Sequence, residues 1–207
     1  GIASRDVDGD LRPDVALTSM GDQLLYLRRG AGRGWRLAPY ETGATAHRPH
    51  VGDDGRPSTG WHAAFGDVDN DGLEDLFIAK GNVDQMPGNA MADPNSLLTG
   101  RPDGTFREAS VGAGVAAPER SRGAALADLN ADGRLDLVVV NRRAPMGLWE
   151  NATDEAGGWV AVTPRRPGPN RWAVGSWVEL RDPAGRVRTQ EVTIGGGHGG
   201  GALGPLH

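Results

Sequence analysis

A nine-residue acidic segment occurs three times in this chain of 207 residues. The copies are DVDGDLRPD (6–14), DVDNDGLED (67–75) and DLNADGRLD (128–136), and they are evenly spaced along the chain. Internal repeats are typical of architectures in which each copy is one structural unit that packs on its neighbours. The chain is therefore expected to form three similar units.

Each acidic segment lies between short apolar segments. In the second unit HAAFGD (62–67) precedes it, and DLFIAK (75–80), SLLTGR (96–101) and TFREAS (105–110) follow it. Short runs rich in branched and aromatic residues between turn residues predict strands. We expect four strands in each unit, with the acidic loop joining the first strand to the second. This pattern is typical of β-propeller blades, with a solenoid or a sandwich as the alternative.

The unit boundaries fall at about residues 1–60, 61–121 and 122–164. The segment GWVAVT (158–163) is expected to be the last strand of the third unit. Trp35 and Trp159 occupy matching places in their units, which predicts that both pack in the core. Residues 41–60 extend the first unit and residues 81–94 are inserted in the second, and such insertions map to loops.

The composition agrees with an all-β fold and excludes several functions. The chain contains 33 Gly and 14 Pro residues, which indicates many turns, and it has no Cys for disulfides or thiolate metal sites. Its net charge of −5 argues against binding to nucleic acid. The sequence has no apolar run long enough for a transmembrane helix.

The acidic loops have the ligand pattern of a calcium site. Counted from the first Asp, side-chain oxygens occur at positions 1, 3, 5 and 9, and the backbone carbonyl at position 7 adds one more. Ca²⁺ prefers six to eight oxygen ligands on a flexible loop. We therefore predict up to three Ca²⁺ ions. The predicted ligands are Asp6, Asp8, Asp10, Arg12 and Asp14 in loop one; Asp67, Asp69, Asp71, Leu73 and Asp75 in loop two; and Asp128, Asn130, Asp132, Arg134 and Asp136 in loop three.

An EF-hand begins in the same way but needs a bidentate Glu at position 12. Leu17, Ile78 and Val139 occupy that position here, and strands flank the loops instead of helices. The EF-hand is therefore excluded. Solvated turn aspartates without a metal are the other alternative, and three matching copies argue against it.

The three loops are not equivalent. Gly72 and Gly133 at position 6 allow the positive φ that turns the loop, whereas loop one has Leu11 there and is expected to be strained. Loop three has the neutral Asn130 in place of a carboxylate. Loop two is therefore expected to bind calcium most tightly.

The repeats resemble FG-GAP/VCBS repeats, the calcium-loop blades of integrin-α-type propellers. The residues that carry the resemblance are GWHAAFGDVDNDGLEDLFIAKG (60–81), PNSLLTGRPDGTFREAS (94–110) and RGAALADLNADGRLDLVVVN (122–141). The chain is also similar to the cartilage acidic protein 1-like group, whose propeller ends in an ASPIC/UnbV domain. This resemblance implies a ring of about seven blades, so we expect either that the chain is a C-terminal piece of a longer protein or that further blades come from elsewhere.

The C-terminal residues 165–207 resemble the ASPIC/UnbV segment. Within them VGSWVELRDPAGRVRTQEVTI (174–194) alternates apolar and polar residues around Asp182-Pro183-Ala184-Gly185. This pattern predicts a β-hairpin.

The remaining candidate residues are histidines. His47 and His50 lie near Asp53 and Asp54 and could hold a transition metal, and His198 could be a ligand or a base, although a solvated loop explains each of them. No hydrolase or metalloprotease motif is present.

We expect a non-enzymatic extracellular or periplasmic propeller that is stabilised by calcium and binds a protein or glycan partner through its loops. A carbohydrate-binding propeller is the alternative. An enzyme whose site lies in missing blades or in loops 41–60 and 81–94 is the third possibility.

Overall fold

The computed structural model describes residues 1–20, 22–30, 34–45, 56–83, 86, 88–154, 156–196, 198 and 204–207. Each of the three repeats forms its own antiparallel sheet. The first sheet contains β1 (Ile2–Arg5), β2 (Asp14–Thr18), β3 (Gln23–Arg29) and β4 (Gly34–Leu37). The second contains β5 (Gly60–Gly66), β6 (Asp75–Lys80), β7 (Ser96–Gly100) and β8 (Phe106–Glu108). The third contains β9 (Ser121–Ala127), β10 (Asp136–Asn141) and β11 (Gly147–Trp149). These sheets confirm the all-β prediction and have the strand order of propeller blades.

The second sheet is packed between the other two. Successive side chains of a strand point to opposite faces. Leu76 and Ile78 of β6 join a core cluster with the first sheet, whereas Phe77 and Ala79 join a second cluster with the third sheet. All six residues of β6 are therefore buried. Burying Phe77 alone stabilises the fold by about 2 kcal/mol.

The outer sheets bury mainly one face in the described structure. Burial alternates along β2, where Ala16 is buried and its neighbours are half-buried. In the third sheet Val139 is buried, whereas Val140 and Leu148 are exposed. The third sheet thus packs against the second sheet with one face, and apolar side chains on its other face remain exposed.

The predicted fourth strand of the third unit is wrong. Residues 158–163 form no strand beside β11 in the described structure, and Val162 instead pairs with Leu206 in an isolated bridge. The preceding segment also leaves the sheet, because Gly157 lies against the backbone carbonyl of Asn70 in loop two. Distant partners thus take this segment away from β11.

The prediction that Trp35 and Trp159 pack in the core is also wrong. Trp35 lies on β4, whose residues are all exposed, and the Arg28 guanidinium is 5.9 Å from its ring centre. Trp159 is half exposed and lies over Gly133 in loop three. Because residue 159 is not in a fourth strand, the two tryptophans do not occupy matching positions.

The predicted C-terminal hairpin is confirmed. Strands β12 (Trp177–Arg181) and β13 (Val187–Glu191) pair antiparallel, and the turn between them is closed by the N–H of Gly185 donating to the carbonyl of Asp182. Among the described residues the one helical segment is the 3-10 turn Tyr40–Thr42, and none forms a helix of the length and apolarity that a membrane crossing requires.

Candidate metal centres in the acidic loops

Each acidic loop joins the first strand of a sheet to the second. The loops therefore follow β1, β5 and β9, at the same end of three sheets with the same strand order. The last residue of each loop begins the next strand: Asp14, Asp75 and Asp136 are buried at the starts of β2, β6 and β10. The repeat thus places three equivalent carboxylate loops side by side.

The first Asp of each loop organises the turn. In loop two the N–H groups of Asp71 and Gly72 donate to Oδ1 and Oδ2 of Asp67 at 3.0 and 2.9 Å. The same two bonds occur in the other loops, where Asp6 and Asp128 are the acceptors. Such bonds hold the carboxylate in one orientation inside the turn.

Two residues in each loop adopt the left-handed backbone conformation. At position 6 the φ angles are 93° for Gly72 and 86° for Gly133, as predicted, and Leu11 adopts 64°. This angle confirms the predicted strain at Leu11, because a side chain in this region costs about 1 kcal/mol. Position 4 is also left-handed, with Ala131 at 63°, and sequence reasoning missed this second turn. Gly9 and Asn70 at position 4 were the available signal, since Gly and Asn tolerate positive φ.

The Asp at position 9 ties the loop to the third strand of its own sheet. Asp75 Oδ2 accepts the N–H of Val68 at 2.8 Å, and its Oδ1 accepts the N–H of Gly100 at 2.8 Å. Asp14 and Asp136 accept the equivalent pairs of N–H groups. Position 9 is therefore a structural clamp as well as a predicted ligand.

The carboxylates of loops one and two converge. In loop two one oxygen from each of Asp67, Asp69 and Asp71 lies within 4.8 Å of the others. In loop one the converging set is Asp6, Asp8 and Asp14. Carboxylate oxygens gathered in this way fit a hard divalent cation such as Ca²⁺.

The electrostatics of the loops also fit a cation. Burial raises the pKa of Asp67 to about 6, that of Asp75 to about 7 and that of Asp14 to about 6, and neighbouring aspartates add to the shift. The backbone N–H bonds lower these pKa values but do not offset burial. The loops therefore hold negative charge that is costly without a positive partner.

The FG-GAP-like repeat family matches residues 6–78 and 67–139. The chain belongs to the FG-GAP-like repeat family. Cartilage acidic protein 1 of Homo sapiens is 47% identical over 57 residues, which are 27% of this chain and 9% of the relative. Cartilage acidic protein 1 of Mus musculus is 30% identical over 142 residues, which are 68% of this chain and 19% of the relative. The aligned regions thus cover less than a fifth of these curated relatives.

The loops of the FG-GAP-like repeats contact one another across the sheets. Asn70 Nδ2 in loop two donates to the carbonyl of Gly133 in loop three at 3.1 Å. Arg5 of β1 forms an ion pair of 3.0 Å with Glu74 in loop two. A change in the conformation of loop two would therefore alter its contacts with both the first and the third units.

Of the three candidate histidines, the structure describes His198 but not His47 and His50. His47, His50, Asp53 and Asp54 lie outside the described residues. The His198 ring lies 5.0 Å from the Trp61 ring, and its backbone N–H donates to Nδ1 of the buried His62 at 3.3 Å. The described contacts of His198 are thus one ring contact and one backbone hydrogen bond.

Among the described residues, one arginine contacts a predicted ligand carboxylate in each FG-GAP-like loop. Arg12 Nη1 lies 3.0 Å from Asp10 Oδ2 in loop one, and Arg134 contacts Asp132 in loop three. In loop two Arg188 Nη1 of the C-terminal hairpin lies 3.2 Å from Asp67 Oδ2. The repeats contain no signal for Arg188, although Leu73 at position 7 of loop two marks the place where the other loops have Arg.

Proposed function

We propose that this chain is part of a calcium-stabilised β-propeller that acts as a protein-interaction scaffold rather than as an enzyme. The observation that carries the proposal is the convergence of the carboxylates in loops one and two. The positions 1, 3, 5 and 9 side chains and the position 7 carbonyl would hold the ion in each loop. Bound calcium would supply the positive charge that the buried aspartates lack.

The ion would act on structure, because each loop connects the two strands at the start of its blade. Glu74 and Asn70 contact neighbouring blades from within loop two. Fixing this loop would therefore fix the angle between blades. Membership in the FG-GAP-like repeat family supports a scaffold role, and the sequence contains no hydrolase or metalloprotease motif.

An extracellular or periplasmic location fits these loops. Extracellular modules bind calcium at about 10⁻⁴–10⁻³ M, and such sites would stay unfilled in the cytosol. The relatives' name, which refers to cartilage, supports this placement.

We further propose a ring of about seven blades, of which residues 1–164 provide three and residues 165–207 form an ASPIC/UnbV-like segment. The apolar residues exposed on the outer sheets support this arrangement, since Val140, Leu148 and Ile2 would be covered by further blades. Three blades are fewer than the four that propellers typically need.

Calorimetric titration of the chelator-treated protein with CaCl₂ tests the calcium proposal. We expect binding near 10⁻⁴–10⁻³ M. Asp69→Asn should abolish one site, and the matched control Asp103→Asn, in the exposed turn before β8, should retain every site. If no heat of binding is observed up to millimolar calcium, or if Asp69→Asn changes nothing, the proposal is wrong.

Carbohydrate binding is the second candidate, and one observation favours it. A cavity of about 390 Å³ lies between the hairpin and the first strands of the three blades, and it is lined by the exposed Trp177 together with Gln190 and Glu191. An aromatic face beside polar groups suits a sugar ring. A glycan-array screen of the wild type and two variants tests this candidate. Loss of the wild-type signal in Trp177→Ala, with the signal kept in Trp35→Ala, would support it. A wild-type array without any signal would reject it.

A further inference from the structure

In the described structure, loop two is the one acidic loop in which the arginine on a predicted ligand carboxylate comes from outside the loop. In loops one and three, the position 7 residues Arg12 and Arg134 contact the position 5 carboxylates of their own loops. In loop two, position 7 is Leu73, and the guanidinium is that of Arg188, which is 121 residues after Asp67. The charge of this loop is thus balanced by a different structural element.

Arg188 lies directly on the turn of loop two. Its Nη1 donates to Asp67 Oδ2 at 3.2 Å, and the same oxygen accepts the N–H of Gly72. The Arg188 Nη2 atom also packs against Gly72. A Cβ atom added to Gly72 would lie only 2.1 Å from this Nη2 atom. The Asp67 side chain is 14% exposed and that of Arg188 is 40% exposed, so the contact is partly shielded from solvent. A glycine at position 72 thus permits both the left-handed turn and the approach of the guanidinium.

The hairpin holds Arg188 in this position. Arg188 lies on β13 and pairs with Leu180 of β12. Leu180, Val178 and Val160 line a small cavity of about 60 Å³ together with Asp67 and Arg188. The hairpin thus lies beside loop two, with one ion pair between them and apolar residues around the shared cavity.

We propose that Arg188 lowers the calcium affinity of loop two and couples calcium binding there to the docking of the C-terminal hairpin. This inference rests on the proposed calcium function. The physical reason is that Asp67 is both the first predicted ligand and the acceptor of the guanidinium. A monovalent cation on this carboxylate reduces the charge available to a dication and repels it at short range.

The coupling has a reciprocal consequence. If docking of Arg188 weakens calcium binding by a given factor, calcium weakens docking of the hairpin by the same factor. Loop two has the most complete ligand set and the least strained turn, yet it would bind calcium more weakly than these features alone predict. Arg12 and Arg134 belong to the loops whose carboxylates they contact, so these pairs do not connect a calcium loop to the hairpin.

The amide resonances of Gly72 and Gly133 allow a test on the full chain labelled with ¹⁵N-glycine. Gly72 donates to Asp67 and Gly133 donates to Asp128, so each amide reports on its own loop during a titration with CaCl₂. In Arg188→Gln the calcium concentration for half-saturation at Gly72 should fall about tenfold, whereas that at Gly133 should not change.

Two further variants make the result specific. Arg181→Gln removes an exposed arginine on the same hairpin that pairs with Glu179, and it should leave both midpoints unchanged. Arg188→Lys keeps the positive charge and should keep the midpoint of Gly72 within about threefold of the wild type. An unchanged or higher midpoint at Gly72 in Arg188→Gln, with Gly133 still responding to calcium, would overturn the inference alone. If neither glycine responds to calcium in the wild type, the calcium proposal itself is wrong.

Discussion

Asn151 Nδ2 donates to the carbonyl of Val68, 83 residues earlier in the chain, at 2.7 Å. The same amide group contacts the carbonyl of Leu135 at 3.1 Å, and the N–H of Asn151 donates to Asp136. Asn151, the second residue after β11, thus joins loop three to loop two. The blades are connected at the end of the sheets where the acidic loops lie.

Asn151→Ala should destabilise the protein by about 1–3 kcal/mol, because it removes both amide contacts and leaves partly buried carbonyls without these donors. Urea unfolding at saturating calcium measures the change. Asn170→Ala is the control, since Asn170 is exposed and bonds locally with Val174. Equal losses in the two variants would show that the link between the blades contributes nothing.

Leu11→Gly should tighten calcium binding to loop one. Leu11 has a φ of 64°, and bound calcium requires the loop to keep this conformation, whereas the calcium-free loop can relax from it; a glycine avoids this strain of about 1 kcal/mol. The side chain is 45% exposed, so its removal sacrifices little burial. We expect a gain of about two- to fivefold in the ¹⁵N-glycine titration, with Gly9 as the local reporter. Weaker binding would show that the strain does not limit loop one.

Lys80→Met should destabilise the second blade strongly. Lys80 Nζ lies 2.8 Å from Asp93 Oδ1, and both side chains are almost completely buried. Asp93 also accepts the N–H and the hydroxyl of Ser58. Removing one partner leaves a buried charge and costs about 3–5 kcal/mol.

The double variant Lys80→Met/Asp93→Asn should recover part of this loss, because it removes the uncompensated carboxylate. Chemical denaturation of both variants measures the two values. A loss below about 1 kcal/mol for Lys80→Met would contradict the importance of the pair.

His62 should make the protein less stable as the pH falls below 6.5. Burial lowers its pKa to about 4, and the neighbouring His198 adds to the shift. Between pH 6.5 and 4 the unfolded chain binds a proton at this site and the folded chain does not. The free energy of unfolding therefore loses up to about 1.4 kcal/mol per pH unit from this residue as the pH falls through that window.

His62→Gln keeps an acceptor for the N–H of His198 and does not titrate in this range. The difference in unfolding free energy between variant and wild type should therefore shift in favour of the variant as the pH is lowered from 6.5 to 4. A difference that stays constant over this range would contradict the buried, neutral state of His62.

The repeat was sufficient to predict most of the fold. The strands around Asp75 and the left-handed turns at Gly72 and Gly133 follow from local sequence, because strand patterns and positive φ are local properties. The failure of the fourth strand at residues 158–163 has a nonlocal cause, namely the pairing of Val162 with Leu206.

In the candidate site, too, some features follow from local sequence and others do not. The converging carboxylates were predictable from their spacing, whereas the clamp between Asp75 and Gly100 was not, because an Asp can serve as a ligand or as an acceptor. The contact between Arg188 and Asp67 depends on how the hairpin packs and has no local signal.

Thermal unfolding with calcium and then with excess EGTA tests the central claim most directly. Removing the ions leaves the carboxylates of Asp67, Asp69 and Asp71 crowded within 4.8 Å, so the folded state loses stability. At a calcium concentration tenfold above the dissociation constant, each filled loop adds about 1.4 kcal/mol, and Tm should fall by several degrees in EGTA. Magnesium added in place of calcium should restore little of the loss, because it dehydrates reluctantly and requires octahedral geometry. An identical Tm in calcium and in EGTA would contradict the account.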